Sequence, residues 1–361
     1  MIQTIQSPDD PLLQELTLRL TELHSTLDGE SAWPAQQLQL CGQYGVFEWF
    51  VSTDCGGQGW SDVDLIRGYL ALSEACLTTS FILTQLTGAC RRIETTKNEA
   101  LRLLLLPELL TGEHLATLGV SHLTTSRRHL GRPAMQAVGT HAGFTLDGFS
   151  AWVTGSTRAD TVVMGAELAD GRQILVALPV DRAGVTRTAA VDLVALSASQ
   201  TGPVHCVSMQ VTEADLLAGP VQNVLQVGSG GGAGGLQTST LALGLAQSAL
   251  KYVSGEAEER IELAEPVAAL RAEMEELVAG LLAAAAGEDV AEALDAQVLR
   301  ARANRLVLRS TQMSLAVAKG AGYASGHPAG RWCREGLFFL VWSCPQPVLA
   351  QNMRELAGLT P

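Results

Sequence analysis

The sequence predicts an α+β fold that is mainly α. We expect an N-terminal helical domain over residues 1–116, a middle antiparallel β-domain over residues 117–222 and a C-terminal four-helix bundle over residues 223–361. Apolar residues recur at helical spacing in the first and last of these regions, whereas short β-type runs cluster in the middle. Aromatic residues make up only 5% of the 361 residues, and Ala, Leu and Gly are abundant, which favours helices over a large β-sandwich.

The N-terminal domain is predicted to consist of helices separated by one glycine-rich loop. Apolar positions follow helical spacing from Pro11 onward, and residues 52–59 interrupt that pattern with three glycines. Ser61 then offers a side-chain cap for the next helix. Pro107 is expected to end or kink a further helix, because proline cannot donate the backbone hydrogen bond of a helix interior.

The middle domain is predicted from short runs bounded by Gly, Asp and Pro. Residues 144–148 have the pattern of a strand and turn, and residues 151–154 follow as a further strand. Residues 161–164, 174–178 and 205–211 are rich in β-branched and apolar residues. Because no helical run separates these segments, an antiparallel sheet or barrel is favoured over a doubly wound parallel sheet.

The C-terminal region returns to a helical pattern. One helix face is marked by apolar residues between Val267 and Leu281, with Pro266 in the first turn, and residues 289–318 continue helically. Between residues 255 and 297 there are 12 acidic residues and only two arginines, Arg260 and Arg271. Most of these acids are expected to form a solvated helix face.

Composition excludes several classes of protein. The 37 acidic and 24 basic residues give a net charge of −13, so neither nucleic acid nor an anionic membrane is expected as a partner. The first residues lack the pattern of a signal peptide, and the apolar stretch of residues 277–287 is too short to span a bilayer. Seven scattered cysteines without a CxxC pair, and histidines without an HxxxH pair, indicate reduced thiols in a cytoplasmic protein without a metal site.

Three local patterns each allow two interpretations. Gly230, Gly232 and Gly235 form G-x-G-x-x-G, but the βαβ context of a dinucleotide site is missing, so a mobile linker is the better interpretation. The small basic cluster within residues 126–129 forms either a solvated surface turn or an anion-binding loop. Trp152 is typical of core packing, but with the hydroxyl of Thr154 two residues later it could also hold a planar cofactor.

Five segments, in order and at matching intervals, resemble motifs of the acyl-CoA dehydrogenase family. They are residues 55–59 (Y-G-G-x-G in the family), 106–113 (L-P-x-L-x-x-G-E), 148–160 (N-G-x-K-x-W-I-T-N-x-x-x-A-D), 259–271 (E-R-x-x-F-G-x-P-I-x-x-F-Q) and 322–335 (G-Y-x-x-x-x-P and R-D). The resemblance covers nearly the full length. It implies an acyl-CoA dehydrogenase-like fold, whose helix–sheet–helix order is the order predicted above.

The resemblance also implies an FAD site shared between subunits, and hence a homodimer or homotetramer. Trp152 would stack beside the isoalloxazine ring, Thr154 would form a hydrogen bond near its reactive nitrogen, and Ser121 would lie in a flavin-contacting turn. Arg127 stands where the family has a serine near the diphosphate. Arg260 and Arg271 would reach the diphosphate of a neighbouring subunit. Gly320 is the last cofactor-binding residue that the resemblance implies.

The residue at the family's catalytic position departs from the pattern. Dehydrogenation of a thioester removes an α-proton while a hydride passes to the flavin, and the proton needs a carboxylate base. Counting nine residues from Arg334 leads to Ser343, and a serine without a partner base cannot take that proton. The alternative base position, within residues 233–237, has no carboxylate. The catalytic residue is therefore unknown from sequence.

Three other titratable residues, His122, His327 and Glu335, are expected to be structural, because no spacing links them to the base position.

Two functions follow from the resemblance and from the serine at the base position. The first is an FAD-dependent oxidoreductase acting on an acyl thioester, such as an acyl-CoA, or on a related small molecule. Flavin–oxygen hydroxylation, as in a flavin-dependent monooxygenase, fits Ser343 better than ordinary β-oxidation. The alternative is a catalytically silent homologue that serves as a subunit or scaffold.

Overall fold

The chain folds into N-terminal helices, a central sheet and C-terminal helices. The computed structural model describes residues 4–27, 32–124, 133–228, 235–288 and 295–359. The N-terminal helices are α1 (Pro11–Glu22), α2 (Ala35–Gln43), α3 (Asp62–Ala75), α4 (Leu77–Glu94) and α5 (Glu99–Thr111). A short α6 (Ser121–Thr124) lies within the sheet region. The C-terminal helices are α7 (Leu236–Glu259), α8 (Ala264–Ala285), α9 (Ala296–Gly322), α10 (Pro328–Gly336) and α11 (Gln346–Leu356). Across the described ranges, none of these helices is long and apolar enough to cross a membrane.

Side-chain caps mark the beginning of α1, α3 and α5. Ser61 caps α3 as predicted, because its side chain accepts a hydrogen bond from the backbone N–H of Asp64. Of the two outcomes expected at Pro107, an end of the helix is wrong, since α5 continues through it to Thr111 and has Gly112, with φ of +75°, as its C-cap. Leu106 and Leu109 are both buried beside the proline. Packing of this apolar turn therefore outweighs the lost hydrogen bond.

Eight strands form one mixed sheet. They are β1 (Ala116–Gly119), β2 (Met135–Thr140), β3 (Gly143–Val153), β4 (Thr161–Glu167), β5 (Gln173–Pro179), β6 (Val185–Arg187), β7 (Gly202–Val211) and β8 (Leu216–Val221). The order is β6-β7-β3-β2-β4-β5-β8, with β1 also beside β4. Most pairs are antiparallel as predicted, but β1 and the end of β2 run parallel to β4. The sheet is therefore mixed where the sequence predicted an antiparallel one.

The longest strand, β3, continues through Gly148, where the sequence predicted a turn. Gly148 has φ of +133°, and a Cβ at this position would lie 2.1 Å from the carbonyl oxygen of Ala134. The register with β7 shifts between Leu146 and Gly148. The prediction of a turn at Gly148 is wrong, because glycine allows the chain to form a bulge here and continue as one strand.

The C-terminal helices form a bundle around α9. Helices α7, α8 and α9 contact one another, and the shorter α10 and α11 both pack against α9. The fourth helix of the predicted bundle is thus divided in two. The apolar face predicted for α8 is confirmed, since Val267, Leu270 and Leu281 are all buried.

The N-terminal and C-terminal helices share one hydrophobic core. Leu72 of α3 and Leu243 of α7 are both buried in it. The two helices approach closely at Gly244, where a Cβ would lie 2.6 Å from the Cβ of Ser73 and 2.9 Å from the carbonyl oxygen of Leu70. This crossing joins the two helical regions and fixes the walls of the cavity described below.

The close crossing gives a matched pair of stability predictions within α7. We expect Gly244→Ala to lower the free energy of unfolding by about 1–3 kcal/mol, because the added methyl group overpacks the contact. Gly255 has nothing within 4 Å of an added Cβ. There Gly255→Ala should raise the free energy of unfolding by about 0.5–1 kcal/mol through helix propensity. Urea titrations of the two variants measure both effects, and equal stability would contradict the observed crossing.

Candidate functional site

A cavity of about 500 Å³ lies where the N-terminal helices, the edge of the sheet and the bundle meet. Its walls come from α3, α4, the segment from β1 to α6, the first turn of α7 and the loop at Trp342 and Ser343. This volume is in the usual range of small-molecule sites, about 300–1,000 Å³. The cavity is therefore the candidate functional site.

Ser343, which stands at the family's base position, lies on the cavity wall. Its neighbour Trp342 stacks on Phe338, with ring centroids 5.1 Å apart, and meets the edge of Phe81 in α4 at 5.2 Å. These ring contacts fix the end of the cavity where Ser343 lies. Among the described residues that line the cavity, Asp62 is the one carboxylate, and it is exposed at the start of α3.

One wall of the cavity is polar. The hydroxyl groups of Tyr69 and Thr87 lie 2.8 Å apart in a buried hydrogen bond. Burial raises the pKa of Tyr69, although Thr87, Arg91 and Gln237 act against this rise. Tyr69 therefore stays protonated at neutral pH and presents a hydrogen-bonding hydroxyl rather than a charge. Arg91 and Gln237 also line the cavity.

Ser121 carries a hydrogen-bonding group that is left without a protein partner. It begins α6 and lines the cavity, and its Oγ is buried with no hydrogen-bond partner among the described residues. A buried polar atom in this state costs about 1–3 kcal/mol. A bound molecule with a complementary polar group would remove that cost, so Ser121 marks a point where a ligand fits.

The residues of the predicted flavin strand lie on the sheet side, outside the cavity lining. Trp152 is 50% exposed in β3, whereas Thr154 is buried just beyond the end of that strand. The Oγ1 of Thr154 accepts a hydrogen bond from Thr201 at 3.3 Å, and its carbonyl oxygen accepts one from Thr117 at 2.8 Å. Since Thr117 precedes the cavity-lining Leu118 in β1, Thr154 lies close behind this wall.

The predicted diphosphate residues lie on the bundle. Arg260 ends α7 and donates from Nη1 to the carbonyl oxygen of Val317 at 3.1 Å, which connects it to the part of α9 that contains Gly320. Its guanidinium also lies 3.6 Å from Glu256. Arg271 is exposed on α8.

Two of the predicted segments fall outside the described residues. They are the basic cluster of residues 126–129, which contains Arg127, and residues 229–234 of the glycine-rich stretch.

The three titratable residues outside the base position have structural contacts. His122 bonds through Nε2 to the carbonyl oxygen of Gly165 at 2.8 Å, and burial lowers the pKa of its ring. His327 caps α10 through Nδ1. Glu335 lies 3.6 Å from the ring of His24. None of the three lines the cavity as described.

Three cavity residues were not predicted from the sequence, namely Tyr69, Arg91 and Gln237. The sequence did contain an indication for Arg91. Thr84, Gly88 and Arg91 recur at one-turn spacing, which places them on the same face of α4. Sequence alone could not show that this face borders a cavity rather than solvent or core.

Comparison with known proteins gives one curated relative and many similar structures. No protein-family model matches the chain. The chain is 24% identical over 253 residues to a probable acyl-CoA dehydrogenase, YngJ, of Bacillus subtilis strain 168. That match covers 68% of this chain and 66% of the relative, slightly less than two thirds of the relative's length.

The structural likeness covers almost the whole chain. A glutaryl-CoA dehydrogenase from Mycobacterium smegmatis, solved in complex with FADH2, matches with a TM-score of 0.80 at 15% identity, over 97% of this chain and 96% of that one. A dibenzothiophene monooxygenase from Paenibacillus sp. A11-2 matches with a TM-score of 0.74 at 16% identity, over 97% of each chain. At these identities the likeness shows a shared fold. The sequence match supports the resemblance that the motifs predicted, and the structural matches show that the chain has an acyl-CoA dehydrogenase-like fold.

Proposed function

We propose that this chain is an FAD-dependent oxidoreductase that acts on an acyl thioester or a related small molecule in the cavity. The observation that carries the proposal is the buried, unpartnered Oγ of Ser121 on the cavity wall. It stands at the turn that contacts flavin in the proteins this chain resembles. FAD would supply the acceptance of a hydride, or the activation of oxygen, that no side chain can supply.

The residues around the cavity fit a flat, polar cofactor. Ser121 would form a hydrogen bond to it, and the half-exposed indole of Trp152 would offer a flat face for its ring. Thr154 is already held by Thr117 and Thr201 from behind. Because Oγ1 of Thr154 accepts a hydrogen bond from Thr201, the O–H of Thr154 would be left to donate to the cofactor.

The diphosphate would be held by a neighbouring subunit in a homodimer or homotetramer. Arg260 and Arg271 are the cations proposed for this role, and Gly320 lies near the contact of Arg260 with α9. Guanidinium groups suit a diphosphate because they donate paired hydrogen bonds to its oxygens. Glu256 competes for Arg260 within the chain, and a bound diphosphate would replace this weak, partly exposed ion pair.

Ser343 favours a second candidate reaction. A serine on the wall gives no carboxylate to remove an α-proton, and Asp62, the carboxylate of the described lining, is exposed to solvent. Flavin–oxygen hydroxylation does not begin with removal of that proton. A monooxygenase is therefore the second candidate, and the monooxygenase of the same fold shows that the architecture supports such chemistry.

The first test is the visible spectrum of the purified protein, followed by an anaerobic thioester titration. We expect bound flavin, and a Ser121→Ala variant that binds FAD about fivefold more weakly, because one buried hydrogen bond contributes about 1 kcal/mol. Ser310→Ala is the matched control, since the Oγ of Ser310 is also buried and unpartnered but lies in α9, outside the cavity lining. A colourless protein that refuses added FAD would contradict the proposal and support a silent scaffold.

A further inference from the structure

We infer that the cavity recognises a substrate whose acyl group carries a carboxylate, and that Arg91 binds this carboxylate. The inference rests on the proposed function, because it names the class of substrate for the same cavity. It is carried by a cation in the cavity wall that has no counter-charge in the part of the chain that the structure describes.

Arg91 differs from its neighbour on α4. Arg92 is held by the carbonyl oxygens of Val227 and Leu225 at 2.7 and 2.6 Å, so its guanidinium has a structural task. The guanidinium of Arg91 forms neither an ion pair nor a hydrogen bond with any described residue, although it is only partly exposed. A guanidinium has five N–H donors in a rigid fork that matches a carboxylate. Its unused donors therefore point to an anionic ligand.

The acidic residues near Arg91 do not neutralise it. Glu94 lies one turn further along α4, but its Oε1 accepts a hydrogen bond from the backbone N–H of Ser52 at 2.8 Å. Asp62, the carboxylate of the described lining, is exposed at the start of α3. Around Arg91 the wall instead presents uncharged groups: the hydroxyl of Tyr69, which donates its hydrogen to Thr87, and the amide of Gln237. A carboxylate would find one charge there, with the amide of Gln237 as a neutral hydrogen-bonding group.

The position of Arg91 in the cavity indicates which part of the substrate it meets. The Ser343 end lies beside Phe81, because Trp342 contacts that ring. Arg91 is ten residues later in α4, which at 1.5 Å per residue is about 15 Å along the helix axis. A molecule that reaches both ends must be elongated, with its reactive carbon at one end and its charge at the other. The far end of an uncharged alkyl chain would instead remove water from the guanidinium without offering it a hydrogen-bond acceptor. Burying an unpaired charge in this way costs free energy.

The test compares two thioesters of equal chain length, a dicarboxylic acyl-CoA with a free terminal carboxylate and the corresponding alkyl acyl-CoA. Binding is measured by calorimetry, which does not depend on flavin. We expect the carboxylated thioester to bind at least about tenfold more tightly, and Arg91→Gln to abolish this preference. Arg91→Lys should restore part of it, because the charge is kept while the fork is lost. The free dicarboxylic acid and CoA alone are further arms that separate recognition of a thioester from recognition of a free acid.

Arg102→Gln is the control, since Arg102 lies on α5 and faces Glu99 at the surface. Equal binding of the two thioesters, or a preference that survives Arg91→Gln, would overturn the inference. If flavin binds and the alkyl thioester reduces it without such a preference, the proposed function stands and the inference alone fails. If the Arg91-dependent preference is present in a protein that refuses FAD, the inference stands and the proposed function fails.

Discussion

Ser343→Glu is expected to raise the rate of thioester dehydrogenation by about 10²- to 10⁴-fold, which is the usual contribution of a positioned general base. Ser343 lies on the cavity wall, so a longer side chain at this position can enter the space that a substrate would occupy. The neighbouring Trp342 is fixed by ring contacts with Phe81 and Phe338. The new carboxylate would therefore start from a well-defined backbone position.

Ser343→Gln is the matched control, because it has the length of glutamate without a basic oxygen. Ser343 has φ of +46°, a left-handed conformation in which every larger L-residue meets the same backbone strain, so the two variants share that cost. The measurement is anaerobic reduction of bound flavin by a thioester, with flavin content determined for each variant. Equal rates for the Glu and Gln variants, with flavin bound in both, would contradict the assignment of Ser343 to the base position.

A wild-type protein that reduces its flavin as fast as Ser343→Glu would also contradict this account. Such a result would mean that another group already removes the proton, and Asp62 would be the first residue to replace. An unreactive wild-type protein that becomes reactive with Ser343→Glu would show instead that only the base is missing. The single substitution thus separates a lost base from a relocated one.

The resemblance to family motifs was sufficient to locate two residues of the cavity. It placed Ser343 at the base position, nine residues after Arg334, and Ser121 in the flavin-contacting turn; both line the same cavity. The helices of both ends followed from apolar periodicity, because a buried face repeats every three to four residues. In these cases local sequence and tertiary position are tightly linked.

The features that sequence missed depend on contacts between distant segments. Strand β1 has only four residues, and its parallel partner β4 begins more than forty residues later, so neither length nor local pattern indicated the pairing. Arg91 could be assigned to a helix, but its significance depends on α3 and α7 meeting α4 around a cavity. Glycine is common both in turns and in β-bulges, so the sequence allowed Gly148 to be interpreted as a turn. Only the close contact between Gly148 and the backbone of Ala134, which the sequence does not show, identifies a bulge.

Glu335→Gln is expected to lower the free energy of unfolding by about 3–5 kcal/mol, the effect of removing one partner from a buried ion pair. The side chains of Glu335 and His24 are only 3% and 6% exposed, and Oε1 of Glu335 lies 3.6 Å from Nε2 of His24. Arg331 lies on the other side, at 3.9 Å. Glu335 therefore balances positive charge from two directions inside the protein.

The positive charge on His24 is the reason why Glu335→Gln should lower the free energy of unfolding so strongly. Burial alone would lower the pKa of His24, but Cys76 and the carboxylate of Glu335 raise the pKa to about 10. Burial would raise the pKa of the Cys76 thiol, but the nearby ring of His24 lowers it. A hydrogen bond that Thr79 donates to the sulfur at 3.2 Å lowers it further. Without Glu335, a buried imidazolium and the neighbouring guanidinium would face each other with less compensation.

Glu276→Gln is the control on the surface. Glu276 forms a two-fold hydrogen bond with Arg302, but its side chain is 52% exposed, so its removal should cost only about 0–1 kcal/mol. Urea titrations of both variants give the comparison. If Glu335→Gln proves too unstable to purify, Glu335→Asp, which keeps the charge and shortens its reach, serves in its place.

The double variant His24→Gln with Glu335→Gln tests whether the two side chains act as a pair. If the carboxylate is needed mainly to balance His24, the double variant should be more stable than the sum of the single losses predicts, with a coupling of about 0.5–3 kcal/mol. Additive losses would mean that Arg331, rather than His24, is the partner that makes Glu335 indispensable. A loss no larger than that of Glu276→Gln would mean that the cluster is not charged in the folded protein, because only a charged pair makes removal of one buried partner so costly.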